Sequence, residues 1–139
     1  MLYAAVLDAL TEWALARQEN LEALVSHISK SKELRASSKL ARRLIDTFNA
    51  APDRRSTTNM IHIAALSDDA GTYEQAVDAA LEIWRSGKLA DVSTNELVEL
   101  LVSEYWVIAP EVRRGGAGFA LKRRLSGIRG ELATAIPVH

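Results

Sequence analysis

No cysteine occurs anywhere in the 139 residues of the chain. Its absence excludes a disulfide framework, a thiolate metal site and a cysteine nucleophile, and it fits a cytoplasmic location. Nor is there a run of about 18 apolar residues or a basic-then-apolar leader, so neither a membrane span nor a signal peptide is expected. Proline is confined to three positions, and two of them, Pro52 and Pro110, fall at breaks in the helical pattern. The three histidines, His27, His62 and His139, stand at no metal-ligand spacing. His62, inside an apolar run, reads as a half-buried residue with a satisfied ring. Asp68 and Asp69 are adjacent carboxylates without the oxygen ligands of a calcium loop after them, and they read as turn caps. RRGGAGFALKRR is rich in glycine, but it lacks the lysine followed by serine or threonine of a phosphate loop and it follows a helix. No strained serine elbow is visible, although spacing alone does not test a triad assembled from distant residues. No catalytic residue, cofactor or metal is therefore expected, and the chain does not read as an enzyme.

What is present is the composition of a folded domain. Apolar residues make up 48% and charged residues 25%, so wholesale disorder is not expected and one core suffices for residues 1–139. Periodicity predicts an all-α fold of six to seven helices. Residues 2–17 repeat apolar side chains at steps of three and four, placing Trp13 in the core with Leu44, Phe48, Val77, Leu81, Leu101 and Leu125. A shorter helix follows around 21–28, then a third over 32–48, and the serines between them leave one bent helix as an alternative. NAAPDRRSTTN, residues 49–59, gathers turn-forming residues and predicts a mobile loop. MIHIAAL, 60–66, fits either period; with no strand to pair with, helix is the consistent choice. Thr72 with Gln75 reads as a capping box opening a helix that ends at Gly87. This helix and the next make a hairpin resembling a tetratricopeptide pair, but such arrays need about 34 residues per repeat and at least three copies. No second copy is present.

Residues 93–132 organise the rest. Ser93 and Glu96 read as a capping box, and Leu97, Leu100, Leu101 and Ile108 form an apolar stripe interrupted by Glu104. Pro110 should stop that helix near Ile108. Gly115, Gly116 and Gly118 predict a hinge or a tight turn over 115–118, after which Leu121, Leu125, Ile128 and Leu132 make the stripe of a basic amphipathic helix. Gly127 and Gly130 weaken that helix, and either a neighbouring helix approaches closely there or the segment orders fully only on binding. Tyr105 should point inward and Trp106 off the stripe, closing the bundle against the first helix or meeting a partner.

Formal charge, −1 overall, hides alternating blocks. Residues 1–29 hold one base against four acids, net −3; residues 30–55 hold eight against three, net +5. Residues 56–111 hold two bases against ten acids, net −8, and residues 112–139 hold six against one, net +5. Three arrangements fit these blocks. Neighbouring helices compensate one another, a bipolar molecule docks its charged faces on a partner, or the basic blocks converge on nucleic-acid phosphates. The expected function is a protein-protein interaction or assembly module, a small subunit or adaptor that binds a protein partner or a second copy. The alternative is a backbone-directed, sequence-independent nucleic-acid-binding accessory protein, against which stands a pI of about 6.3. Contact residues in either case are Arg113, Arg114, Lys122, Arg123, Arg124 and Arg129, joined by Lys39, Arg42 and Arg43. Trp106 and Phe119 are the aromatic candidates. On this reading, reversing both Arg123 and Arg124 to glutamate should leave the fold intact but abolish association.

Overall fold

In the computed structural model, which describes residues 2–30, 38–67 and 69–134, the chain forms eight helices among those residues and no strand. They are α1 Leu2–Ala16, α2 Gln18–Lys30, α3 Ser38–Ala50, α4 Arg54–Leu66, α5 Ala70–Arg85, α6 Thr94–Tyr105, α7 Pro110–Arg113 and α8 Gly116–Thr134. The helix beyond the expected seven is α7, a single turn opened by Pro110, whose fixed φ and missing N–H suit a first helical position. The junction between the second and third helices lies outside the described residues.

Helix α4 is the hub, packing on α2, α3, α5 and α6. Its apolar run showed no clear period because Met60, Ile61, Ile63, Ala64, Ala65 and Leu66 are all buried, so no single face had to be apolar. The loop expected over 49–59 is shorter than the turn formers suggested. Residues up to Ala50 belong to α3, and α4 begins at Arg54, leaving 51–53 as the connection. Asp53 caps α4: its carboxylate accepts from the Ser56 N–H at 2.7 Å, and the Asp53 N–H donates to Ser56 Oγ at 3.0 Å. Serine stands in the usual glutamate position of this reciprocal box, so its composition is that of a loop.

Helix α5 begins two residues before the expected Thr72, because Asp69 is its cap. The Asp69 carboxylate accepts from the Gly71 N–H, and the Thr72 hydroxyl donates to the same side chain at 2.8 Å. Its far end is a Schellman motif. Gly87, at φ 80°, donates to the Trp84 carbonyl and Lys88 donates to that of Ile83, so the end predicted at Gly87 is confirmed. Helix α6 opens as expected, with Ser93 Oγ accepting from the Glu96 N–H at 3.1 Å. It closes at Tyr105 rather than at Ile108. From Trp106 to Ile108 the chain tightens into bonds of the i to i−3 kind, which keep Ile108 buried while turning toward Pro110.

Six of the seven predicted core residues, Leu44, Phe48, Val77, Leu81, Leu101 and Leu125, are buried. Trp13 is the exception at 47% exposed. Helix α1 packs mainly on α2, and among its described side chains, residues 9–16, those turned inward are Thr11 and Ala14, with Leu15 partly buried. The three-and-four rhythm of residues 2–17 runs around more than one face, so periodicity did not single out the inward one.

Candidate functional site

The most unusual surface lies where α6, α7 and α8 meet. Its geometry follows from Gly118, at the start of α8. A Cβ there would lie 2.7 Å from the Arg113 carbonyl oxygen and closer still to that of Val112, so α7 rests directly on glycine backbone. The Tyr105 hydroxyl donates to the Gly118 carbonyl at 3.1 Å and ties α6 to the same spot. The predicted hinge is thus a tight turn whose last three residues are already helical. Gly127 and Gly130 have nothing within 4 Å of a built Cβ, which overturns the expectation that a neighbouring helix approaches there.

This packing sets Arg113 and Lys122 around Trp106. The Arg113 guanidinium carbon is 4.9 Å from the indole ring centroid and Lys122 Nζ is 5.4 Å from it. Arg113 is itself fixed by donating from Nε to the Ile108 carbonyl at 2.8 Å. On a further side the Tyr105 ring meets the indole edge-on, 5.3 Å between centroids at 82°. Trp106 is nonetheless 53% exposed, so it does not close the bundle against the first helix. Beside it, Val102, Tyr105, Trp106, Lys122, Leu125 and Ser126 line an open cavity of about 90 Å³. Phe119, 58% exposed, precedes Lys122 and Arg123 by one turn on α8, so all three share its outer side. Val102, one turn before Trp106 on α6, is also exposed. Sequence reasoning missed Val102; its spacing of four from Trp106 is the signal that places the two on one stripe.

The predicted contact residues separate into three groups. Arg113 and Lys122 belong to this face, Arg123 follows Lys122 on α8 and Arg114 follows Arg113 at the end of α7, and Arg114 and Arg123 are exposed without an ion pair among the described residues. Arg124 turns the other way, to Asp78 of α5 at 2.5 Å with Glu74 at 3.9 Å, and Arg129 donates to Asn95 at 2.8 Å. Lys39, Arg42 and Arg43 lie on α3, which packs on α4 and α5 rather than beside the Trp106 face. Arg43 pairs with Glu12 at 2.6 Å and Arg42 donates to the Ser38 carbonyl. Arg124 and Arg43 therefore serve compensation between helices.

Two further polar features hold α6 in place. His62 Nδ1 lies 2.6 Å from Glu104 Oε2, so the one acid on the apolar stripe of α6 meets the one histidine in the buried run of α4, both about four-fifths buried. This satisfied pair is what the position of His62 predicted. The Tyr73 hydroxyl donates to the Leu101 carbonyl at 2.5 Å, and burial, reinforced by Glu104, pushes it far above the ordinary phenol range. Burial likewise raises Tyr105, with Arg113 opposing. Two further open grooves lie near Arg54 and Glu96, and between Leu21, Leu44 and Asn59. Among the described residues no three acidic or histidine side chains are grouped to hold a metal, and no helix is long and apolar enough to cross a membrane. No family model, no curated protein and no solved structure matches the chain.

Proposed function

We propose that the chain is a non-enzymatic interaction module, working in the cytoplasm, whose Trp106 face docks an acidic, apolar segment of a partner protein. The observation that carries this reading is a half-exposed tryptophan flanked on its other sides by Tyr105, Arg113 and Lys122. Tryptophan and arginine are the usual anchors of protein interfaces, and an anchor already flanked by neighbours loses less side-chain entropy on binding. Around it, Arg114 and Arg123 carry uncompensated charge that selects carboxylates and repels basic segments. The adjacent cavity, about 90 Å³, accepts one aliphatic side chain of the partner.

A direct test uses a labelled amphipathic peptide with leucines at helical spacing flanked by glutamates, titrated against the full chain. Trp106→Ala, and separately the pair Arg114→Glu with Arg123→Glu, should weaken binding at least ten-fold, about 1.4 kcal/mol, while circular dichroism stays unchanged. Binding indifferent to both substitutions would refute the face. A second reading has one observation in its favour: Trp106 as well as Phe119 presents an exposed ring among cations, which suits stacking of single-stranded bases. It requires that random DNA and RNA oligonucleotides bind alike and that binding weaken steeply with salt.

A further inference from the structure

We infer that the segment occupying the Trp106 face is the α1–α2 arm of a second copy of this chain, bound head to tail. The inference rests on the Trp106 face being a docking surface and names what docks there. Five large apolar side chains are exposed among the described residues, and they fall into two sets. Val102, Trp106 and Phe119 belong to the face just described, whereas Leu10 and Trp13 lie on α1. Among the described side chains of α1, residues 9–16, Thr11 and Ala14 are buried while Leu10 and Trp13 are exposed. Leucine and tryptophan three residues apart lie on one side of a helix and form an exposed apolar patch that a partner can cover.

Charge decides between the possible covers. Residues 1–29 carry Asp8, Glu12, Glu19 and Glu22 against Arg17 alone, and residues 112–139 carry six bases against one acid. Arg43 and Arg55 of the body each take one of the arm's carboxylates, at exposed pairs that exchange partners at little cost. Pairing α1 with α1 of another copy would oppose like charges, whereas the basic face offers Arg114 and Arg123. Within one chain α1 packs mainly on α2, and α8 on α5, α6 and α7, and both apolar sets stay exposed among the described residues. Contact between two different surfaces is heterologous, and it propagates into a ring or an open chain of copies.

Light-scattering mass of the full chain tests this, with Trp13→Ala and Trp106→Ala as variants and circular dichroism as the fold control. The wild type should exceed the mass of one chain and return toward it in high salt, and each variant alone should be a monomer. Mixing the two variants should restore association yet stop at two chains, because one supplies an intact arm and the other an intact face. The pair Arg114→Glu with Arg123→Glu should replace Trp106→Ala in the mixture with the same result. A monomeric wild type overturns the inference, as does loss of assembly in Trp13→Ala that mixing fails to rescue, which would mean α1 pairs with α1. If the wild type is a monomer that still binds the acidic peptide through Trp106, only the second copy is refuted; if it binds neither, the docking face is refuted with it.

Discussion

At position 118 the lack of a side chain sets the distance between two helices. Gly118→Ala would drive a methyl group into the carbonyls of Val112 and Arg113, which are backbone atoms that cannot rotate away. Overpacking of this kind costs about 1–3 kcal/mol, and the rigid neighbours place Gly118→Ala at the upper end. Gly127→Ala and Gly130→Ala should do the opposite. Both lie inside α8 facing open space, so each should stabilise by about 0.5–1 kcal/mol through a more restricted unfolded chain. Denaturant midpoints of the three variants check the contrast. Composition showed glycines clustered at 115–118 but not which of them mattered, since the answer depends on a carbonyl delivered by a neighbouring helix.

Among the helices, α6 shows how polar groups place an element between others. It is tied to α4 through Glu104 and His62, to α5 through the Tyr73 hydroxyl, and to α8 through the Tyr105 hydroxyl. Both phenols are raised above their ordinary range by burial, so the folded chain keeps these protons to higher pH than the unfolded chain does. Their contribution is fully present at neutral pH and is lost as pH rises beyond about 10. Melting temperature should therefore fall above that pH, and Tyr73→Phe and Tyr105→Phe should flatten the fall. At neutral pH each variant should cost about 0.5–1.5 kcal/mol for its hydrogen bond. The helices with one apolar face, such as α3, α5 and the stripe of α8, were legible from spacing alone. Less legible were α4, buried on several sides; α7, a single turn hidden in a loop-like stretch; and the Asp53 cap, where serine stands in for glutamate. For α4 the cause is that local sequence records a face only when the fold leaves an opposite face to water, whereas α7 buries none of its residues and leaves no stripe to read. The basic face was legible as a charge cluster, but its division was not, because Arg123 and Arg124 are neighbours in sequence and point to different surroundings.

Across the whole molecule the alternating charge blocks resolve largely into pairs between segments: Glu12 with Arg43, Glu22 with Arg55, Arg54 with Glu96, and Glu74 and Asp78 with Arg124. Most are exposed and contribute little individually. The pairing at Arg124 is more enclosed, and its reversal sets three acids together. Arg124→Glu should lower stability by about 1–2 kcal/mol, between the values for surface and buried pairs. Arg123→Glu should stay within about 0.5 kcal/mol of wild type, as a surface change with no fixed partner. Thermal melts in low salt test the pair, and added salt should narrow the difference. The placement of the three tryptophans has a further, optical consequence. Trp84 is buried in the core, Trp13 is half in water on α1, and Trp106 lies against two cations beside α8. Unfolding of the interior, release of the arm and occupation of the basic face thus each act on a different indole, and the emission spectrum of the unlabelled protein carries three separable signals.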